Sequence, residues 1–426
     1  MFNQGGLSLE QAPPISVVLR FFVSASVFGL LLGLFLLLGS LELIPSSSYS
    51  FDLIVVHLLA LGVMASFMLG AMFQMLPVIA GVVIKMPTKK AMVAHILLTV
   101  GVFFQIGAFY SSNSILYLLT ATILGSGLLH ASTLMFKEVI KIKDHSSSSK
   151  GMLFALGSFI VVITLGVVML LSLGGYIDSI YFSQIREVHY SFGLFGWVSL
   201  LIISISFQVV EMFYVTPKYP DIMSRYLVVA IFSFLVIKTV MLFMVLDSFV
   251  VDIVLSLLFI IYAITTIHRL YKRRRPTSDA TVWFWRLGMG LFILSMLIVM
   301  VDNIVGLDVV VNYISYIAFI GFALSIVFAM VYKIVPFLVW FHLSNQGYME
   351  APMMHDVIHP KVAKIHFWIH LSMVGLLMVD TIFYISSIEI LAYILLTVSF
   401  GWLLYHLVGS IKKYRYIQKT YDKIEW

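Results

Sequence analysis

The sequence contains no cysteine among its 426 residues. This absence excludes disulfides, thiolate metal ligands, cysteine-bound iron–sulfur clusters and thiol nucleophiles. Charged residues are also scarce, at 11%, whereas hydrophobic residues make up 61%. A typical soluble domain has about 25% charged residues, so this composition, with a mean hydropathy of +1.06, predicts a protein whose solvent is the lipid bilayer. The net charge of +6 does not indicate a nucleic-acid partner, because basic residues in membrane proteins mark the cytoplasmic loops.

Long apolar runs occupy most of the chain. A transmembrane helix needs about 20 apolar residues, because lipid offers no hydrogen-bond partner to an exposed backbone. The first run is too long for the core of a signal peptide and has no basic leader, so we interpret it as a span. We predict twelve transmembrane helices, at residues 14–43, 53–84, 91–110, 114–136, 151–176, 188–215, 225–246, 248–268, 281–302, 309–340, 362–386 and 388–411. Only the turn from Asp247 to Asp252 separates the seventh helix from the eighth.

Basic residues fall in alternate loops between these spans. With the N-terminus inside, all but five of the 26 Lys and Arg residues lie on the inner side. Of those five, only Arg186 falls in an outer loop. The positive-inside rule therefore predicts that both termini are cytoplasmic, with residues 413–426 as a basic cytoplasmic tail.

Three spans share a residue pattern that recurs at every fourth helix. Aligned positions hold Gly62, Gly196 and Gly321, then Gln74, Gln208 and Lys333, and then Pro77, Glu211 and Pro336. This spacing predicts an all-α protein of three pseudo-repeated four-helix groups, at about residues 14–140, 150–272 and 280–412, in a single transmembrane domain covering residues 1–426. We expect the second, sixth and tenth helices to be innermost, because small residues allow close approach. The alternative is coincidence, since Gly and Pro recur in many membrane helices.

The second span carries the pattern H-x4-G followed by G-A-x-x-Q-x-x-P, from His57 to Pro77. Together with twelve helices in three groups, this pattern resembles subunit I of the haem-copper oxidases. The resemblance implies that His57 is an axial ligand of a low-spin haem b. Other ligands of that family are missing, because residues 312–316 and the seventh span contain no histidine and Gly193 stands where the family has a tyrosine. Copper needs several imidazole ligands, so a dinuclear copper site is not expected.

His57 and His189 are candidate cofactor ligands at similar depth near the outer face. Each begins a helix that runs inward from that face. They suit the two axial positions of one b-type haem. The alternative interpretation is that each histidine caps its helix or bonds a neighbouring carbonyl group.

Four histidines near the inner face form a second candidate site. His355 and His359 are four residues apart, as are His366 and His370. That spacing places each pair on one face of a helix. The pattern suits a divalent-metal or proton-handling site, and the alternative is an interfacial cluster without a ligand.

Several polar side chains are predicted to lie within the spans, where a charge is costly unless it is paired, hydrated or neutralised. They are Gln74, Gln208, Glu211, Lys238, Arg286 and Lys333. Glu211 and Lys333 lie at similar depths in their repeats, which suits either a structural ion pair or a proton path. A methionine stripe on the second span suits Cu(I) binding or irregular helix packing. It consists of Met64, Met68, Met72 and Met75.

These features favour a respiratory or redox accessory protein in the cytoplasmic membrane of a bacterium. Its expected partners are the lipid bilayer and a membrane or periplasmic redox protein. It is not expected to reduce oxygen or nitric oxide by itself, because the copper ligands are missing. The alternative is a membrane transporter for copper or for a proton-coupled solute. Bound haem would favour the first function, and flux in haem-free vesicles would favour the second.

Overall fold

Residues 12–46, 48–178, 180–275 and 279–423 are described by a computed structural model of the protein. All regular secondary structure in these residues is helical. Within the described residues, twelve helices are long and apolar enough to cross a membrane: α1 (Ile15–Ser40), α2 (Tyr49–Ala80), α3 (Pro87–Ser111), α4 (Ser114–Val139), α5 (Ser147–Leu173), α6 (Phe182–Tyr214), α7 (Asp221–Phe243), α8 (Phe249–Tyr271), α9 (Ala280–Val305), α10 (Val309–Asn345), α11 (Pro360–Phe383) and α12 (Ser386–Thr420). A short helix, Met354–Val357, lies between α10 and α11. The prediction of twelve apolar helices is therefore confirmed, and the chain is a polytopic α-helical membrane protein.

The turn between α7 and α8 is well defined. Val245 has a φ of 55°, a left-handed conformation that does not continue a right-handed helix. Asp247 then accepts a hydrogen bond at Oδ1 from the backbone N–H of Phe249, at 3.0 Å. This bond from the residue two places along is a turn that aspartate favours. The seventh and eighth predicted spans are therefore two separate helices.

The helices form two compact units. The first comprises Met1–Pro13, Met72–Pro276 and Met289–Phe319. The second comprises Pro14–Ala71, Thr277–Gly288 and Ile320–Trp426. Three of the five boundaries between the units fall inside helices, in α2, α9 and α10.

Glycines bring neighbouring helices of the first unit close together. A Cβ atom on Gly101 of α3 would lie 2.7 Å from Cβ of Leu124 in α4. On Gly196 of α6, it would lie 2.7 Å from Cβ of Ser158 in α5. The Trp197 ring stacks on Phe159 of α5, with ring centroids 4.2 Å apart. Small residues at the contact are typical of helices that pack in a membrane, where dispersion contacts replace the hydrophobic effect.

The second unit uses glycine in the same way. A Cβ atom on Gly33 of α1 would lie 2.9 Å from the backbone nitrogen of Thr397 in α12. On Gly62 of α2, it would lie 2.8 Å from Cγ of Phe28 in α1. The helix α1 therefore packs closely against both α2 and α12.

The spans differ in how much of their surface is buried. In the most apolar stretch of each helix, 61% of residues are buried in α2 and 72% in both α6 and α10. No other span of the described residues exceeds 44%. The three helices that share the glycine pattern are thus the most buried of the twelve.

The helices α2 and α6 each contain an eight-residue π-helical segment, Leu58–Ala65 and Phe192–Ser199. Each segment begins four residues before the shared glycine, Gly62 or Gly196, and ends three residues after it. A π-helical turn bonds to the carbonyl group five residues back, which widens the helix, and such turns are frequent at functional sites. A serine hydroxyl near the end of each segment donates across the same interval, from Ser66 to Leu61 at 3.4 Å and from Ser199 to Leu194 at 2.8 Å.

Candidate functional site

His57 directly precedes the π-helical segment of α2. Its Nδ1 atom lies 2.8 Å from the carbonyl oxygen of Leu53, one turn earlier in the helix. This bond fixes the orientation of the ring and places the hydrogen on Nδ1, so that Nε2 carries the lone pair. Histidines that bind a metal are usually held in this way. The alternative interpretation, in which His57 only bonds a neighbouring carbonyl group, predicts the same contact at Nδ1. The two interpretations therefore differ in whether Nε2 binds haem.

His189 stands two residues before the π-helical segment of α6, in the first unit. Its Nδ1 atom lies 3.0 Å from the carbonyl oxygen of Val162 in α5. The ring also sits over Gly166 of α5, where a Cβ atom would come within 3.1 Å of its Cε1 atom. His57 belongs to the second unit, so each histidine is held by contacts within its own unit.

A haem beside His57 would need space along the glycine face of α2, which is formed by Gly62 and Gly70. Phe28 covers Gly62, and Cβ of Phe21 would lie 2.7 Å from a Cβ atom on Gly70. The donor chemistry of His57 and His189 fits an axial ligand, because each presents an oriented imidazole. The glycine face of α2, in contrast, is filled by aromatic side chains of α1.

The four inner-face histidines lie in two different environments. The side chain of His355 is 67% exposed and lies 3.6 Å from Asp356. His359 caps the start of α11 by accepting a hydrogen bond from the Lys361 backbone at 3.2 Å. His366 and His370 are fully buried in α11. No group of three or more His, Asp or Glu side chains in the described residues is arranged to hold a metal ion.

His366 and His370 form a buried hydrogen-bonded cluster with α10 and α12. In His366, Nδ1 lies 2.9 Å from the Tyr332 hydroxyl and Nε2 lies 2.6 Å from the Ser399 hydroxyl. In His370, Nε2 lies 2.8 Å from the Ser325 hydroxyl. The sequence pattern indicated the two histidines but not their hydroxyl partners, because Ser and Tyr are common in membrane helices and no spacing relates residues on different helices.

Lys238 is paired with two carboxylates in the first unit. Its Nζ atom lies 2.7 Å from Asp252 Oδ1 in α8 and 3.2 Å from Glu187 Oε1 in α6. The hydroxyl of Ser248 donates to the other oxygen of Asp252 at 3.1 Å. Lys238 is only 6% exposed, so these partners offset part of the cost of burying its charge.

Lys333 forms its ion pair with Asp279, at the start of α9. Asp279 Oδ1 also accepts hydrogen bonds from the backbone N–H groups of Thr281 and Val282, at 2.9 and 3.3 Å, as a helix cap does. Burial raises the pKa of Asp279, but the Lys333 ammonium and the Thr281 hydrogen bonds outweigh it and hold the pKa below its usual value. The sequence suggested an ion pair or a proton path between Glu211 and Lys333, whereas the ion pair of Lys333 in the described residues is with Asp279.

Glu211 lies beside a chain of hydroxyl groups in the first unit. Its Oε1 atom accepts a hydrogen bond from the Tyr219 backbone at 2.9 Å. The Tyr219 hydroxyl lies 3.1 Å from Thr266, and burial raises the pKa of Tyr219 to about 12. The Tyr262 hydroxyl in α8 donates to Ser206 of α6 at 2.8 Å. These tyrosines were not predicted from the sequence.

The remaining candidate side chains differ in burial. Gln74 is 3% exposed, and neither atom of its amide has a hydrogen-bond partner among the described residues. Gln208 is half-buried. All four methionines of the α2 stripe are buried, as helix packing requires.

No family model matches the sequence, and no curated protein matches it. Functional inference therefore depends on the residues and their geometry.

Proposed function

We propose that the protein has an architecture like that of haem-copper oxidase subunit I and serves a respiratory or redox chain as an accessory component. In this proposal it has no oxygen-reducing copper site of its own. The main support is the pair of oriented histidines, His57 and His189. Each is held through Nδ1 by a backbone carbonyl and lies at or near the start of a π-helical segment.

The proposal includes three repeated four-helix groups with both termini in the cytoplasm. It is supported by the greater burial of α2, α6 and α10, which recur at every fourth helix. The matching position of the π-helical segments around Gly62 and Gly196 supports equivalence of the first two groups. The basic residues of the alternate loops support the orientation.

His57 would be an axial ligand of a haem b, and His189 is the second candidate ligand that the sequence offers. A bound haem supplies one-electron transfer. The protein orients the ligands, because the Leu53 and Val162 carbonyls each accept a hydrogen bond from a ring nitrogen and increase the basicity of the other nitrogen. Copper chemistry is not part of the proposal, since Gly193 and residues 312–316 lack the side chains for it.

The test is a pyridine haemochrome spectrum of protein purified after expression with ample haem. We expect the wild-type protein to contain haem b, and His57→Ala to lose it or to change its spectrum. His130→Ala is the matched control, because His130 is an exposed histidine of α4. A well-folded wild-type protein without haem, or an unchanged spectrum in His57→Ala, would contradict the proposal.

A further inference from the structure

The buried histidine cluster of the second unit has a continuous hydroxyl–imidazole–hydroxyl geometry. Tyr332 in α10, His366 in α11 and Ser399 in α12 are joined by hydrogen bonds of 2.9 and 2.6 Å. His366 and Ser399 are fully buried. Three separate helices thus bring three side chains together at one depth in the second unit.

Both ring nitrogens of His366 are engaged by hydroxyl groups, which favours a proton over a metal ion as the ligand. A neutral imidazole donates from one nitrogen and accepts at the other, and each hydroxyl group can do either. Both tautomers of His366 therefore satisfy the same two bonds. A metal ion would have to displace one of them.

Hydrogen-bond geometry assigns the tautomer of the neighbouring His370. The Ser325 hydroxyl donates its single hydrogen to the Gly321 carbonyl, at 2.6 Å. It must therefore accept a hydrogen from Nε2 of His370, at 2.8 Å. The lone pair of His370 then lies on Nδ1, which is buried and has no hydrogen-bond partner among the described residues. Buried polar atoms of this kind usually bind water, and Nδ1 is a base available to accept a proton.

A second buried imidazole nitrogen lies on α12, two turns beyond Ser399. Nε2 of His406 has no hydrogen-bond partner in the described part of the chain. The ring of His406 lies edge-on to Trp402, with centroids 4.9 Å apart, and Trp402 donates to the Val362 carbonyl of α11 at 3.2 Å. His406 therefore lies between Ser399 and the basic end of α12, residues 412–420.

Aromatic side chains separate the cluster from its surroundings. The rings of Phe284 and Phe328 lie 4.5 to 5.8 Å from those of His366 and His370. The ionisable groups that face His366 are Tyr332, His370 and His406. Lys333, the next residue along α10, is paired with Asp279. The hydroxyl groups are therefore the polar contacts through which His366 can exchange a proton.

We propose that Tyr332, His366 and Ser399 form a proton relay within the membrane. As the O–H bond of Tyr332 breaks, an N–H bond forms at Nδ1 of His366. The N–H bond at Nε2 breaks in turn, and its proton passes to Ser399, which releases its own proton to a water molecule and converts it to hydronium. A hydronium ion arriving on the His406 side restores the Tyr332 proton and is converted to water. No electron is transferred, and the relay does not depend on haem binding.

The test is an acid pH jump on the full-length protein in a solid-supported membrane, with the transient current recorded. A proton that enters the low-dielectric interior moves charge, so we expect a transient current in the wild-type protein. Tyr332→Phe should lose most of that charge movement, because it removes the hydroxyl group and keeps the ring. Tyr262→Phe is the matched control, since Tyr262 is also a buried tyrosine bonded to a serine hydroxyl.

Ser399→Ala provides an independent variant, with Ser132→Ala as its control. Ser132 is buried in α4 and bonds only to backbone carbonyl oxygens in the described residues. The relay predicts a loss in Ser399→Ala and none in Ser132→Ala. A wild-type transient no larger than that of a protein-free membrane would overturn the proposal. Equal transients in Tyr332→Phe and Tyr262→Phe, both folded by size-exclusion chromatography, would do the same.

Discussion

The energetic contribution of a charged side chain in this protein depends on its burial and on its partners on other helices. Lys238 illustrates this, because its ammonium group is buried among groups from α6 and α8. The Lys141–Glu138 pair has similar distances, but the lysine side chain is 66% exposed. A buried pair costs more to break than an exposed one, because the remaining charge keeps its desolvation penalty.

We therefore expect Lys238→Met to lower the free energy of unfolding by roughly 3–5 kcal/mol. Lys141→Met, the matched control, should change it by about 0–1 kcal/mol. The measurement is thermal unfolding in one detergent at one pH. Adding Asp252→Asn to Lys238→Met should recover part of the loss, because no unpaired carboxylate is then left at that position. Equal shifts in Tm for the two single variants would show that the Lys238 ion pair costs no more to break than an exposed pair.

Residue type and depth could be predicted from the sequence, but side-chain partners could not. Placing Lys333 inside a span needed only the length of the apolar run around it. Its partner, Asp279, lies 54 positions earlier, at the start of another helix. Nothing in a linear pattern specifies which helix start faces which lysine. The hydroxyl partners of His366 were missed for the same reason.

At the scale of helices, the spans followed from hydropathy because lipid imposes a minimum apolar length. Their ends followed less closely. The second span was predicted at 53–84, whereas α2 runs from Tyr49 to Ala80. Ser48 explains the early start, because its hydroxyl oxygen accepts a hydrogen bond from the Phe51 backbone at 3.2 Å and caps the helix. The π-helical segments had no sequence signal, since the residues within them also form ordinary helices.

Two glycines of α3 test how closely helices must approach. At Gly101, an added Cβ atom would lie 2.7 Å from Cβ and 2.9 Å from Cα of Leu124, so α4 itself would have to move. At Gly107, the nearest atom is Cδ1 of Leu116, at 3.5 Å, an ordinary contact. We expect Gly101→Ala to destabilise the protein by about 1–3 kcal/mol.

Gly107→Ala should be neutral or stabilising by up to about 1 kcal/mol, because alanine favours helix formation. Thermal unfolding of the two variants side by side makes the comparison. An unchanged Tm in Gly101→Ala would show that α3 and α4 pack less tightly than the structure indicates.

At the scale of the whole molecule, the proposed orientation in the membrane rests on the distribution of charge. The predicted inner loops carry most of the lysines and arginines. The opposite orientation would require each of these basic loops to cross the bilayer, which the positive-inside rule disfavours. The absence of cysteine makes this testable without background, because any introduced thiol is the only one in the chain.

Asp144 and Asp178 are suitable positions for such thiols. Both are exposed, and they lie in the consecutive connections before and after α5. In spheroplasts of an expressing bacterium, a membrane-impermeant maleimide should label Asp178→Cys directly and Asp144→Cys only after lysis. The single span between the two positions places them on opposite sides, so the pair provides its own control. Labelling of Asp144→Cys alone in intact spheroplasts would invert the proposed topology and place both termini outside, because all twelve spans are counted from the same end.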